Sequence, residues 1–274
     1  LGCVFAVIIL NILQIGSALI VLALAAFGLS WFLGRKIDGG SRRFQRTVPA
    51  VFGACFIFLC VNMLTGVAEI KLNPDIMTGI KQSEELWARW NIYSRTALVR
   101  SPAGEAGRFN YNFVLNFNSG KARLVPFNPK DPFALKLYEG FSPVMLAFLT
   151  QEPRDVLVLF TGTGKDMVEA YSYSRGKANI TGVELNPLMV RKALSMPELH
   201  LREFFEKDNV RMVVQEGRSF LEQSRQKYDS IILSWSGATV SSHLGTSSYT
   251  GQYLYTKEAM KAYLEHLNPQ GVVG

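Results

Sequence analysis

Two long stretches without a charged residue constrain this chain more than any other feature of its sequence. The first runs from Leu1 to Leu33 and the second from Val48 to Ala68. A membrane-spanning helix needs about 20 predominantly apolar residues, so each stretch is long enough to cross a bilayer. Within the first stretch, Gly16 and Ser17 mark either a kink or the edge of an earlier span. A buried core helix rarely lacks charge over such a length, and a signal peptide has a shorter apolar core, so we predict transmembrane helices.

This membrane part is expected to be the end of a larger membrane domain. The chain starts at Leu1, inside an apolar stretch and without an initiator methionine, and it stops at Gly274, where a strand is beginning. We therefore predict an excerpt of a longer, multi-pass protein of the inner or plasma membrane, in which residues 1–70 form the last spans. All three cysteines lie in the apolar stretches, which predicts neither a disulfide framework nor a metal site.

The net charge of +7 by itself suggests a nucleic-acid partner, but the positions of the basic residues do not support one. Five of them lie in the short link between the apolar stretches, at Arg35, Lys36, Arg42, Arg43 and Arg46. Basic residues that flank a span usually face the cytoplasm, and there is no basic stripe with interleaved aromatic residues, so we predict no nucleic-acid binding. If the second stretch crosses the membrane once, the rest of the chain would then lie on the non-cytoplasmic side. Earlier spans can override the orientation that this link favours, and we predict that the soluble part is cytoplasmic.

Residues 71–130 are predicted to hold a linker and a small β subdomain. The polar, mixed composition of 69–86 is typical of a linker. Aromatic and β-branched residues over 87–99 predict a strand, and residues 108–127 predict a hairpin whose turn contains Gly120, since glycine supplies the positive φ that such turns need.

Residues 131–274 alternate between strand and helix patterns, which predicts a parallel, doubly wound sheet. The short apolar run at 155–160 is typical of a strand that is buried on both faces. Further strands are predicted at 179–185, 209–214 and 228–234, and a fifth begins at the end of the chain. Helices are predicted within 133–150 and at 165–175, 187–196, 217–226 and 256–267. The predicted fold class is α/β, with a Rossmann-like domain, a small antiparallel β subdomain and preceding transmembrane helices.

The turn FTGTGKD, after the first strand of this domain, is a candidate ligand loop. Ligands of parallel sheets bind beyond the carboxyl ends of the strands, and Gly162 and Gly164 would allow close approach of the backbone. The loop is not a phosphate-binding P-loop, because Asp166 rather than Ser or Thr follows Lys165. It is a poor dinucleotide fingerprint, because Met167 stands where a third small residue would permit close helix packing. A plain tight turn is the alternative.

Two acidic residues follow the next two strands. Glu184 ends its strand 20 residues after Gly164, a spacing at which an acid can accept hydrogen bonds from ribose hydroxyls. Glu216 and Gly217 follow the third strand, where a carboxylate and backbone amides can hold an adenine. The alternatives are a solvated surface acid for Glu184 and an acid favoured by the helix dipole for Glu216. Glycine, acid and acid at successive strand ends indicate an S-adenosylmethionine-type site.

Residues 87–274 resemble the spermidine synthase family, most closely its membrane-fused bacterial branch, in the segments WNIYSR, DVLVLFTGTGKDMVEAYSYSRGKANITGVELNP, VQEGRSFL, YDSIILSWSGA and QYLYTKEAMKAYLEHLNPQGVV. The resemblance implies transfer of an aminopropyl group from decarboxylated S-adenosylmethionine to a polyamine amine. It implies that the cofactor, S-adenosylmethionine or its decarboxylated form, is held by Gly162, Thr163, Gly164, Asp166, Glu184, Asn186, Glu216 and Gly217. We expect a small-molecule amine as substrate, no metal, and a homodimer as one form of assembly.

The chain departs from the family after its fourth parallel strand. The family has two aspartates there, one of which acts as base for the amine, whereas this chain has SWSG at 234–237. A serine hydroxyl is not a base near neutral pH, and it does not attract a polyamine cation. The remaining candidates for catalysis are Ser234, Ser236, His243 and Tyr255. The alternatives for the last two are a solvated loop histidine and a tyrosine that packs the following helix.

Three functions stay open on the sequence. The first is transfer from S-adenosylmethionine or its decarboxylated form to an amine. The second is methyl transfer from S-adenosylmethionine to a membrane-proximal substrate. The third is a non-catalytic nucleoside-binding domain that regulates a membrane transporter.

Overall fold

The computed structural model describes residues 9, 13, 15–38, 42–69, 73–103, 108–115, 120–130, 143–234 and 256–274. The chain divides into two compact units. One unit comprises residues 1–73 and 89–95, and the other comprises residues 74–88 and 96–274.

The first unit is built on two long apolar helices, α1 (Ile15–Asp38) and α2 (Arg42–Thr65). Each contains a window of 19 residues with a mean hydropathy of 2.1. Only 22% of the window in α1 and 17% of that in α2 is buried, and large apolar side chains such as Ile57 and Leu64 are exposed. By length and composition, both helices could cross a membrane.

The beginning of α1 is fixed by a carboxylate that lies beyond the end of α2. Glu69 accepts hydrogen bonds from the backbone amides of Gly16 (3.0 Å) and Ser17 (3.1 Å) and from the side chain of Asn62 (3.1 Å). The first amides of a helix have no partner within it, and the helix dipole favours an acid there. A Cβ atom at Gly16 would lie 2.4 Å from the carbonyl oxygen of Ala68, so this close approach requires glycine. Gly16 and Ser17 therefore lie in the first turn of α1.

A four-stranded sheet in the order β1-β2-β3-β4 follows the two helices along the chain. Its strands are β1 (Glu84–Trp90), β2 (Arg95–Ala103), β3 (Arg108–Leu115) and β4 (Gly120–Arg123), and a short helix, α3 (Pro74–Thr78), precedes them. The antiparallel pairing of β2 with β3 and of β3 with β4 confirms the predicted hairpin and the predicted antiparallel sheet. The predicted place of Gly120 in the turn is wrong, because Gly120 begins β4 and pairs with Leu115. The prediction of a linker over 69–86 is wrong in part, because α3 and the beginning of β1 lie within it.

The prediction of one strand over 87–99 is also wrong, because a turn at Asn91 divides it. The Asn91 side-chain oxygen accepts hydrogen bonds from the backbone amides of Tyr93 (3.0 Å) and Ser94 (2.9 Å). Asparagine stabilises turns in this way by bonding to backbone two residues further on. The turn ends β1 and allows β2 to begin at Arg95.

The rest of the second unit is a five-stranded parallel sheet in the order β7-β6-β5-β8-β9. Its strands are β5 (Asp155–Leu159), β6 (Asn179–Glu184), β7 (Val210–Val214), β8 (Tyr228–Leu233) and β9 (Leu267–Val273). The helices are α4 (Pro143–Thr150), α5 (Lys165–Tyr173), α6 (Pro187–Leu194), α7 (Leu201–Phe205), α8 (Gly217–Gln223) and α9 (Lys257–Glu265), with a 3-10 turn at Pro197–Leu199. The direction of the strand order reverses between β5 and β8, as in Rossmann-like folds. The predicted Rossmann-like domain is confirmed.

The two faces of the parallel sheet bury different apolar clusters. Along β5, Val156 and Val158 belong to one cluster, whereas Leu157 and Leu159 belong to the other. Successive side chains of a strand point to opposite faces, so both faces of β5 are covered. This burial explains why the strand reads as an uninterrupted apolar run.

Gly182 on β6 makes room for the side chain of Met167 on α5. The Met167 side chain is fully buried, and a Cβ atom at Gly182 would lie 2.1 Å from its sulfur. The small residue that permits close packing of α5 on the sheet is therefore on the neighbouring strand and not in the loop. This explains how the chain tolerates a methionine at the third position of the glycine pattern.

Asp229 connects β8 with β5 and β9 at the end of the sheet where the amino ends of the strands lie. It lies on β8, and its carboxylate accepts hydrogen bonds from the backbone amides of Arg154 (2.8 Å) and Asp155 (3.0 Å) and from the Asn268 side chain (2.7 Å). Burial raises the pKa of this carboxyl, but the hydrogen bonds and the charge of Arg154 outweigh it, so the pKa is lowered. We assign Asp229 to the fold and not to the candidate site.

Candidate functional site

The carboxyl ends of β5, β6 and β7 lie side by side at one edge of the sheet. The strand register pairs Leu159 with Val183 and Glu184 with Val214, and the backbone amide of Thr161 donates to the Val183 carbonyl (3.2 Å). Ligands of such sheets bind beyond this edge, near the point where the strand order reverses. The loop after β5 and the residues that follow β6 and β7 are thus neighbours.

The loop between β5 and α5 passes through left-handed backbone conformations. Phe160, Gly162 and Gly164 have φ angles of 59°, 57° and 89°. At Gly164, which caps α5, a Cβ atom would also lie 2.7 Å from Cζ of Phe205. The turn itself therefore requires this glycine, whatever the loop binds. Phe160 adopts the same backbone region although it is bulky, which is unusual.

Glu184 points its carboxylate at the glycine loop. One oxygen accepts a hydrogen bond from the Gly162 amide (2.8 Å) and the other from the Asn186 amide (2.7 Å). A carboxylate has about four lone-pair positions, so these two bonds orient the group and leave acceptor capacity for two hydroxyls. Burial raises the pKa of the Glu184 carboxyl, although the neighbouring Asn186, Gly162 and Leu185 amides oppose the rise. The glycine loop and the acid that ends β6 are therefore in direct contact.

Asn186 has structural partners on both sides of its side chain. Its oxygen accepts a hydrogen bond from the Leu188 amide (3.0 Å) and caps α6, while its nitrogen donates to the Thr96 hydroxyl on β2 (2.9 Å). The side chain therefore links the small sheet to the segment after Glu184.

Two buried threonine hydroxyls lie in the loop after β5. The Thr163 hydroxyl donates to the Arg123 carbonyl on β4 (2.8 Å), which joins the loop to the small sheet. Thr161 is 4% exposed, and its hydroxyl has no hydrogen-bond partner among the described residues. A buried polar group without a partner is costly, and a polar ligand would supply one. Thr161 was not predicted from the sequence, because nothing in FTGTGKD distinguishes it from Thr163.

The Glu216 carboxylate is directed at helix α8. It accepts hydrogen bonds from the backbone amides of Arg218 (3.0 Å) and Ser219 (2.7 Å) and from the Ser219 hydroxyl (2.8 Å). Of the two predictions for Glu216, the acid at a helix N-terminus therefore agrees with the orientation of this side chain. A Cβ atom at Gly217 would lie 3.2 Å from the Phe160 ring, so an aromatic ring covers this part of the edge.

Ser234 follows β8 and contacts the beginning of α5. Its hydroxyl donates a hydrogen bond to the Asp166 carboxylate, and its backbone amide donates to the Leu159 carbonyl (3.0 Å). The Lys165 ammonium lies 3.2 Å from Asp166 and 2.9 Å from Glu169. The sequence predicted Asp166 and Ser234 separately, and their contact depends on the pairing of β8 with β5.

The other predicted catalytic residues, Ser236, His243 and Tyr255, lie outside the described residues. Within the described ranges, no group of three or more His, Cys, Asp or Glu side chains could hold a metal ion.

The fold and this edge together define a Rossmann-like α/β protein with a candidate nucleoside site. No model of a protein family matches the chain. The polyamine aminopropyltransferase of Saccharolobus solfataricus is 30% identical over 134 residues, which are 47% of this chain and 40% of that protein. The polyamine aminopropyltransferase of Sulfolobus acidocaldarius is 25% identical over 157 residues, which are 57% of this chain and 49% of that protein.

Among solved structures, the spermidine synthase of Thermotoga maritima is 17% identical, with a TM-score of 0.48 over 69% of this chain and 55% of that one. The matched part of this chain spans less than half the length of either curated aminopropyltransferase. The sequence likeness therefore extends to one part of those enzymes.

Proposed function

We propose that the protein is a membrane-anchored, spermidine synthase-like transferase that uses S-adenosylmethionine or its decarboxylated form and acts on a polyamine or another small amine. The contact of Glu184 with the Gly162 amide is the main support, because it places an oriented carboxylate and a glycine loop at one edge. The likeness to two polyamine aminopropyltransferases supports the same reaction class.

In this proposal, Glu184 accepts hydrogen bonds from the two ribose hydroxyls with its remaining lone pairs. Thr161 offers its hydroxyl to the same ligand, and Gly162, Thr163 and Gly164 line the side that carries the sulfonium. Since the Glu216 carboxylate caps α8, we assign the adenine to the backbone around Glu216 and Gly217.

The charge near α5 favours the decarboxylated donor. Among the described residues there, Asp166 and Glu169 are two acids beside one Lys165 ammonium. These acids would repel the carboxylate of S-adenosylmethionine, whereas the decarboxylated form carries no such group. We therefore propose aminopropyl transfer ahead of methyl transfer.

Calorimetry on the whole chain in detergent micelles tests the reaction class. We expect decarboxylated S-adenosylmethionine to bind more tightly than S-adenosylmethionine, because only the latter carries the repelled carboxylate. Tighter binding of S-adenosylmethionine would favour a methyltransferase. Binding of neither nucleoside would contradict the proposal and favour a non-catalytic domain that regulates a membrane partner.

We further propose that α1 and α2 cross the membrane, with the second unit in the cytoplasm. The apolar windows of both helices are little buried, so a bilayer would cover side chains that are otherwise exposed to water. Protease added outside intact cells should leave the second unit uncut, and cleavage there would contradict this orientation.

Replacing Phe56 by lysine is expected to reduce membrane insertion, because Phe56 lies at the centre of the apolar window of α2. A lysine at the centre of a span costs about 2.5 to 3.5 kcal/mol. The measurement is the fraction of chain that resists extraction from membranes by alkaline carbonate. Thr47→Lys is the matched control, since Thr47 lies at the end of the same window. Complete extraction of the unaltered chain would rule out a membrane-spanning pair.

A further inference from the structure

The turn between β1 and β2 presents two large apolar side chains at its centre. Ile92 is 44% exposed and Tyr93 is 45% exposed. Turns are usually built from small or polar residues such as glycine, asparagine and serine, and Asn91 and Ser94 on either side follow this rule. The exposed pair lies in the segment WNIYSR, to which the proposed reaction gives no role.

The turn is held by hydrogen bonds that direct this pair outward. The Asn91 side chain accepts from the amides of Tyr93 and Ser94, and the Asn91 amide donates to the Ser94 carbonyl (3.0 Å). Asn91 and Ser94 are both buried. The exposure of Ile92 and Tyr93 is therefore set by the fold of the turn and not by a choice of side-chain rotamer.

Residues Arg89–Arg95, which we call the turn segment, form one compact unit with the apolar helices α1 and α2. The residues on either side of the turn segment belong to the other unit. The turn segment is thus the part of the small sheet that is grouped with the two helices. Most of the apolar windows of these helices is exposed, and the proposed function places them in a bilayer.

The composition of the turn segment suits the boundary between lipid headgroups and acyl chains. An irregular turn does not occur within the hydrocarbon core, where its backbone groups would lack partners. Tyrosine is enriched at membrane–water interfaces, because its ring is apolar and its hydroxyl is polar. Arg89 is exposed, and the turn segment contains no acid. Arginine near the surface is attracted to anionic headgroups.

The alternative to a bilayer is a protein partner or a second copy of the chain. Single exposed apolar side chains are common on protein surfaces, but here they are adjacent and are grouped with other exposed apolar residues. Leu64 at the end of α2 and Val67 just beyond it are exposed in the same unit. A bilayer would cover the helices and the turn segment together without a further partner.

We propose that the turn segment lies in the interfacial region of the bilayer, with Ile92 and Tyr93 inserted at the level of the headgroups and Arg89 beside lipid phosphates. The proposal rests on the proposed crossing of the membrane by α1 and α2. It gives the small sheet a contact with lipid in addition to its connection along the chain through Glu69.

Fluorescence quenching by lipid tests the proposal on the whole chain in vesicles of phosphatidylcholine and phosphatidylglycerol. Cys3, Cys55 and Cys60 are replaced by alanine, and Ile92→Cys carries an environment-sensitive nitrobenzoxadiazole label. We expect blue-shifted emission from this label and a loss of intensity when the acyl chains of the phosphatidylcholine are brominated. Unchanged intensity in brominated vesicles would overturn the proposal.

Leu86→Cys with the same label is the matched control. Leu86 is an exposed apolar residue on β1, and it lies four residues before the end of this strand, which is about 13 Å at the rise of a β-strand. Its label should keep its intensity in brominated vesicles. Equal quenching at positions 86 and 92 would contradict a contact that is confined to the turn segment.

A label at Ile57→Cys distinguishes failure of this inference from failure of the proposed crossing. Ile57 is exposed within the apolar window of α2. Quenching at position 57 but not at 92 would overturn the inference and leave the crossing intact. Absence of quenching at position 57 would overturn the crossing, and the inference with it.

Tyr93→Cys supplies a second labelling position, so that the test does not depend on one variant that disturbs the turn. We expect the label at position 93 to be quenched by brominated lipid and to be protected from iodide in the water. Protection from iodide without quenching by lipid would show that protein covers the turn segment, and would overturn the proposal in favour of a protein partner.

Discussion

Replacing Glu184 by glutamine is expected to weaken the binding of decarboxylated S-adenosylmethionine by about 100-fold or more. Each hydrogen bond to a charged group contributes about 1.5–3 kcal/mol, and two ribose hydroxyls would lose the charged acceptor. The Gly162 and Asn186 amides both donate to this carboxylate, so a glutamine NH₂ group would also face a backbone donor. Calorimetry at neutral pH gives the affinity, and Glu222→Gln, a surface change of the same type, should leave it unchanged.

The pH dependence of Glu184 provides an independent readout. Burial raises its pKa above the ordinary glutamate value of 4.5, so protonation begins at a higher pH than for an exposed glutamate. Nucleoside affinity should therefore decrease as the pH falls through the raised pKa. Folding stability should change in the opposite sense, because the folded state binds this proton more tightly than the unfolded chain does. Between the raised pKa and 4.5, the contribution of this group to stability increases as the pH falls.

A wild-type affinity that stays constant through this acidic range would contradict the role of Glu184. So would an unchanged affinity in Glu184→Gln, provided that the variant melts at a similar temperature. If Glu184→Gln does not fold, the pH dependence of the wild-type affinity alone tests whether Glu184 binds the nucleoside.

Replacing Gly182 by alanine is expected to destabilise the second unit by about 1–3 kcal/mol or more, as overpacked cores do. The new Cβ atom would lie 2.1 Å from the Met167 sulfur, and neither α5 nor the sheet can move apart without loss of core contacts. The measurement is the free energy of unfolding from denaturant titrations in detergent.

The matched test is the same substitution in a Met167→Ala background. There the obstructing sulfur is absent, and glycine inside a strand is otherwise less stable than alanine by roughly 0.5–1 kcal/mol. Gly182→Ala should therefore be neutral or stabilising in that background. Equal destabilisation in both backgrounds would show that Met167 does not occupy this space.

The parallel sheet could be predicted because its strands are buried on both faces. The apolar run at 155–160 and the turn glycines after it determine β5 and the start of α5. The short helices at 197–199 and 201–205 could not be predicted in the same way, since each has about one turn and too few residues to show a helical period. The turn at Asn91 was not predicted, because a single side chain with two hydrogen bonds divides an otherwise strand-like sequence.

The candidate site was predictable in part. Gly162 and Glu184 were identified from their positions at strand ends, and they are in contact. The contact of Asp166 with Ser234 was not predictable, because sequence separation does not reveal that β8 pairs with β5. The capping role of Glu216 was one of two alternatives that the sequence left open, and the orientation of its side chain depends on the helix that follows.

The small sheet is joined to the loop segments at the candidate site by two side chains. Thr163 bonds to the Arg123 carbonyl on β4, and Asn186 bonds to the Thr96 hydroxyl on β2. A chimaera that exchanges the small sheet with one from a homologue must keep these two anchor points in register. Grafting the small sheet alone would release the loop segments from their support, so protein engineers should transplant the small sheet and these segments together.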